Sequence, residues 1–139
     1  MKPVLTHLAL GCGSLDRSID FYSRHAALHV VHDRNDGGMR VVWLSEREEN
    51  PDFVLVLFEI PVDQSGPRST LQHLGFAVGS RADVDRAAAD ARSAGILVAE
   101  PVYAGPIVGY FCIVADPDGN RVEFSYGQPI NPRELPAER

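Results

Sequence analysis

Shifted against itself by 66 residues, the chain lays His73 on His7, Gly79 on Gly13 and Ser80 on Ser14 without a gap. Self-similarity at a fixed period marks a supersecondary unit used more than once, so the fold must be built from two copies of one unit. In the first copy, Val4 to Leu10 is apolar or β-branched apart from His7 and reads as a strand that Gly11-Cys12-Gly13 ends. Ser14 then offers a hydroxyl N-cap, Asp16 sits in the first turn where the helix dipole favours negative charge, and Leu15, Ile19 and Tyr22 make an apolar stripe on a helix to about His25. Strands follow near residues 28–33, 39–45 and 53–60, with Asn35-Asp36-Gly37-Gly38 as a hairpin turn and Glu46 to Asp52 as a polar loop.

The second copy repeats that order. A strand from Leu71 to Val78 leads into a helix capped by Ser80, buried through Val84, Ala87, Ala88 and Ala91 and stopped by Gly95. Strands near 96–103, 109–115 and 121–126 complete it. The reading is one α+β domain over residues 1–139, made of two βαβββ repeats at about 4–60 and 71–127. Pro61 to Ser69 is the linker, and 128–139 is a polar, Pro-broken surface arm.

At 139 residues and 45% hydrophobic, the chain is long enough to bury a proper core. A net charge of −6 with no basic cluster argues against nucleic acid or an anionic membrane surface, which leaves a small molecule as partner. Cys12 and Cys112 lie 100 positions apart without the paired spacing of a zinc or redox motif, and read as free core thiols of a cytoplasmic protein. The apolar run behind Lys2 is short and broken by Thr6 and His7, so it fails as a signal peptide, and nothing approaches a membrane span.

Chemistry concentrates in three residues. His7 and His73 each lie early in a strand that otherwise reads as core, and Glu123 lies between Val122 and Phe124 just after the tight turn Asp116-Pro117-Asp118-Gly119-Asn120. A carboxylate flanked that way must point off the apolar face. Two imidazoles and one carboxylate are the facial triad that holds a divalent metal with positions left open; Fe, Mn, Ni, Co and Zn all suit it. Arg121, two residues from Glu123, and Arg40 are candidate anchors for an anionic substrate, since Arg grips a carboxylate with two parallel hydrogen bonds. Tyr103 and Tyr110 flank a Gly/Pro loop able to fold over a cleft mouth and are candidate substrate contacts. His25, His29 and His32 straddle a helix end and a strand and read as surface or capping residues.

These residues, with the DPDGN turn of Asp116 to Asn120, resemble the vicinal oxygen chelate superfamily of glyoxalase I, type I extradiol dioxygenases, fosfomycin-resistance enzymes and bleomycin-resistance proteins; the resemblance runs from His7 to about Gly127. It implies two curved sheets around a cleft, with His7, His73 and Glu123 gathered on one metal, and a twofold homodimer. It also implies a fourth carboxylate ligand from the last strand of the first repeat. Glu59 is the only acid in that strand and so the candidate ligand or general base, the alternative being a solvated strand end just before Pro61; the 66-residue offset maps Glu123 onto Leu57. The implied chemistry is a glyoxalase-type lyase or isomerase working through a metal-bound enediolate, with Glu123 or Glu59 moving a proton between adjacent carbons. Extradiol ring cleavage with Fe(II) is the alternative. It is weakened because the Tyr those enzymes carry three residues before the turn's Asp is Ile113 here, and no His lies between His73 and Glu123. A metal-free drug-binding protein is the third reading, and it has no need of the triad. The walls of the cleft show no pocket signature in the sequence.

Overall fold

The computed structural model describes residues 2, 4–60 and 71–135, so the expected linker Pro61 to Ser69 and the last four residues lie outside it. The chain divides into two compact units, Met1–Thr70 and Leu71–Arg139.

Unit 1 runs β1 (His7–Cys12), α1 (Leu15–Ala26), β2 (His29–Asp36), β3 (Met39–Ser45) and β4 (Val54–Glu59). Its sheet has the order β1-β4-β3-β2, with β1 parallel to β4 and the other pairs antiparallel. The strand expected from Val4 starts instead at His7, because pairing with β4 begins where the Thr6 carbonyl accepts from Val54 N–H. Ser14 caps α1 through the Arg17 N–H, and the helix buries Leu15, Ser18, Phe21 and Tyr22, with Ile19 only half-buried. Leu10 and Cys12 of β1, Val42 and Leu44 of β3, and Leu55 and Leu57 of β4 are buried and share one sheet face by their ladder pairs. Each large side chain among them stabilises the unit by roughly 1.5–3 kcal/mol. The β2–β3 turn is a two-residue loop in which Gly37 and Gly38 have φ of 57° and 93°, a mirror-image turn that a Cβ would strain.

Unit 2 repeats the plan: β5 (Leu74–Ala77), α2 (Arg81–Ser93), β6 (Leu97–Tyr103), β7 (Tyr110–Ala115) and β8 (Arg121–Tyr126), with sheet order β5-β8-β7-β6. A 3-10 turn, Pro132–Glu134, follows in the C-terminal arm. Ser80 caps α2 through Asp83 N–H, and Val84, Ala88 and Ala91 are buried as the helix packs on β6, β7 and β8. Beneath it lie Cys112, Val114, Val122 and Phe124. Small alanines let this helix sit close to its sheet, whereas α1 fills its space with Phe21 and Tyr22.

The architecture is α+β, with two four-stranded sheets and two helices in repeated βαβββ units. Among the described residues, no helix is long and apolar enough to cross a membrane.

Candidate metal centre

Val122 and Phe124 lie under α2, so the period of two along β8 sends Glu123 out through the opposite, open face of the sheet. Its ladder neighbours there are Gly75 of β5 and Ile113 of β7. A Cβ built on Gly75 would lie 3.5 Å from Glu123 Oε2, so the carboxylate lies across a strand that offers it bare backbone. Beyond Gly75 is His73, whose Nε2 stands 3.6 Å from the same oxygen. Glu123 is 6% exposed while the His73 side chain is 45% exposed. The buried acid therefore has one edge turned toward an accessible imidazole.

His7, the first residue of β1, pairs with Val54, and its Nδ1 is 2.9 Å from Thr6 Oγ1. That contact engages one ring nitrogen and leaves Nε2 as the other. On the open face of unit 1 the residue in Glu123's ladder position is Val56, because Ala9 pairs with Val56 as Gly75 pairs with Glu123. The strands thus correspond at 66 residues for β1 and β5 but at 67 for β4 and β8. Leu57, the position that the uniform offset selects, faces the helix as the partner of Leu10. Glu59 pairs with Cys12 at the exposed end of β4, on the side shared by Leu55 and Leu57 and away from His7, Ala9 and Gly11. The carboxylate expected beside His7 is not on its face, because β4 carries an acid one residue out of phase.

A family model for the Glyoxalase/Bleomycin resistance protein/Dioxygenase superfamily matches residues 4–124. The chain belongs to that superfamily. It is 42% identical over 132 residues to the uncharacterized protein PA2024 of Pseudomonas aeruginosa, covering 95% of this chain and 94% of that one. In fold it is similar to a trypanothione-dependent glyoxalase I from Leishmania major, at 24% identity and TM-score 0.65 over 91% of this chain and 88% of that one. It is also similar to a glyoxylase/bleomycin resistance protein/dioxygenase domain from Frankia sp. EAN1pec, at 19% identity and TM-score 0.73 over 92% of this chain and 100% of that one.

A divalent metal, which this superfamily implies, fits the donors in unit 2. At 3.6 Å the His73–Glu123 pair is too wide for a hydrogen bond, yet two donors that each bind one ion at about 2.0–2.2 Å stand roughly this far apart. Among the described residues, no three His, Cys, Asp or Glu side chains gather into a metal cage, so within unit 2 the donor set is this pair.

The other candidate site residues fare differently. Arg121 shares Glu123's face by strand period and has no ion-pair or hydrogen-bond partner among the described residues. Arg40 is not free to anchor a substrate: Asp33 takes its Nε and Nη2 at 3.1 and 2.8 Å, and Asp16 takes Nη1 at 3.0 Å. The same guanidinium holds the Asp33 carboxyl below the usual carboxylate range. Tyr110 and Tyr103 are a cross-strand pair on the helix side of the sheet, opposite Glu123. Arg81 lies 5.0 Å from each ring, and Tyr110 donates to Asp85 of α2, which pushes its phenol pKa up. They are packing residues for α2, because Tyr110 is in phase with buried Cys112 and Val114. The loop between them closes on itself through Ala104 N–H to Gly109 and Gly109 N–H to Gly105. The turn acid Asp116 is spent on geometry, accepting from Asp118 N–H, Asn120 N–H and Asn120 Nδ2.

Three residues that matter here were not singled out from the sequence. Gly75 was legible as the residue two positions after His73, a spacing that puts two residues on one side of an extended chain. Trp43 and Arg34 line a cavity of about 430 Å³ in unit 1, and only the alternation of β2 and β3 pointed to them.

Proposed function

We propose that the chain is a divalent-metal-dependent enzyme of the glyoxalase type, a lyase or isomerase that moves a proton between adjacent carbons of a small oxygenated substrate. The observation that carries this reading is the buried Glu123 carboxylate laid across Gly75 toward His73. His73 and Glu123 would hold the ion together with His7, contributed by the same chain or by a second copy in a homodimer. When bound, such an ion supplies Lewis acidity toward neighbouring oxygens of the substrate. Glu123 moves the proton: Oε2 is turned to His73, which leaves Oε1 as the atom that accepts and returns it. Ile113 beside it keeps that proton from bulk water, and Arg121 on the same face orients an anionic substituent.

Ring cleavage is the second reading, favoured by Val56. With Val in the fourth ligand's place, the donor set reduces to two imidazoles and one carboxylate. Against it, Ile113 pairs directly with Glu123, so a hydrocarbon stands where that reaction needs an acid. The test is metal content by elemental mass spectrometry on the wild type and His73→Ala. It is paired with turnover of the hemithioacetal of methylglyoxal and glutathione, and of catechol, after loading with each ion. One ion per site that is lost in His73→Ala, with turnover of the hemithioacetal, supports the proposal. Catechol cleavage with Fe(II) alone moves the second reading to the front, and no metal under any loading sinks both. Mixing His7→Ala with Glu123→Ala addresses the origin of His7: recovery of about a quarter of the metal capacity means that the site is shared between copies.

A further inference from the structure

On the open face of unit 1, the cavity of about 430 Å³ is walled by Ala9, Val54, Val56, Phe53 and Trp43, with His7 and Thr6 at one end and Arg34 at the other. Its size suits a small organic ligand, and apolar walls with a few placed polar groups are the usual make-up of such a site. Every residue that lines it belongs to unit 1.

Arg34 is the polar group with spare capacity. Its guanidinium carbon is 5.5 Å from the centre of the Trp43 ring, and Nε donates to Asp36 Oδ2 at 2.9 Å. Both contacts fix the plane of the group before any ligand arrives. Neither Nη has a hydrogen bond among the described residues, and those two nitrogens form the fork that grips a carboxylate end-on. Asp52, the acid in the lining, is held by Arg47 at 2.8 Å. Local charges therefore balance, and selectivity comes from aimed donors rather than from net charge. His32 packs on Trp43 with ring centres 4.7 Å apart, which holds the indole in place as a wall.

We infer that this cavity binds an aromatic carboxylic acid, its ring against Trp43 and Phe53 and its carboxylate on the Arg34 fork. The identification of this ligand with the substrate rests on the proposed function, since it would end beside His7. The cavity does not.

The chain has one tryptophan, so Trp43 emission reports the site directly. The experiment titrates phenylacetate, phenylacetamide and acetate into the full chain stripped of metal by chelator, and repeats this with Arg34→Gln. The expected result is a saturable change with phenylacetate at a concentration at least tenfold below that needed for either other probe. Arg34→Gln should lose that tenfold preference while still responding to phenylacetamide, which also shows that its pocket is folded. No saturable response, equal response to acid and amide, or an unchanged preference in Arg34→Gln overturns the inference. A response that depends on added metal also overturns it, and leaves the metal reading standing. A normal response in a protein that takes up no metal does the reverse.

Discussion

Across the open face of unit 1 one ladder row reads Ala9, Val56, Trp43, His32; across unit 2 the matching row reads Gly75, Glu123, Ile113, Ala99. The backbone positions are the same and the chemistry is reversed. Where unit 2 places a carboxylate on a bare glycine, unit 1 places valine beside an indole. Duplicating a unit gives two equivalent faces, and substitutions at a few open-face positions are enough to give one a carboxylate and the other an apolar surface. The helices differ in the same spirit: α1 packs with Phe21 and Tyr22 and ends on Ala27 at φ 54°, whereas α2 packs with alanines and is followed by Gly95 at φ 73°.

Exchanging the central residues of the two rows has the largest expected effect. Glu123→Gln keeps the size of the side chain and removes the charge, and should lower turnover by roughly 10²–10⁴-fold together with metal content. Val56→Glu, which makes the faces alike, should slow loss of metal to a chelator; an unchanged rate would mean that Val56 is not Glu123's functional counterpart.

Next in size is the glycine beneath the acid. Gly75→Val puts methyl groups where the carboxylate lies, and should weaken metal binding by roughly 10–100-fold, as loss of an orienting contact does, with the melting temperature little changed. The matching change in unit 1, Ala9→Val at an exposed position, should leave metal binding intact. Equal effects of the two would show that the faces are not differentiated in this way.

The buried thiols give a smaller, pH-dependent effect. Burial pushes Cys112 up to about 11, partly opposed by the Phe124 backbone N–H. The folded state holds its proton over a range in which the unfolded thiol has lost it. Stability from this residue is therefore complete below the unfolded value near 9 and falls as pH rises through about 11. Denaturant unfolding at pH 8 and 10.5 should differ by about 1–2 kcal/mol more in the wild type than in Cys112→Ala.

Smallest is the helix end. Ala27 occupies the left-handed region, at a cost of about 1 kcal/mol, so Ala27→Gly should stabilise the chain by about 0.5–1 kcal/mol in the same unfolding assay. Gly95→Ala should do the opposite.

Much of the fold was legible because its signals are local. Ser14 and Ser80 cap the two helices as their hydroxyls suggest, and paired glycines turn the first hairpin. Glu123 leaves the apolar face as its neighbours Val122 and Phe124 require. Parity is harder to read across loops. Tyr110 read as a cleft residue, yet it stands in phase with Cys112 and so faces α2. Arg40 read as an anchor, but its partners Asp16 and Asp33 come from other elements, which no local pattern shows.

That one βαβββ unit is used twice is written in the sequence, as are His7 and His73 at equivalent positions and Glu123 between two core residues. Which residue of the first copy corresponds to Glu123 is set by strand pairing, which no local pattern shows. One extra residue shifts the offset from 66 to 67 between the first and last strands of the repeat. Because side chains alternate along a strand, a shift of one exchanges the faces, turning Leu57 and Glu59 away and bringing Val56 to the open side.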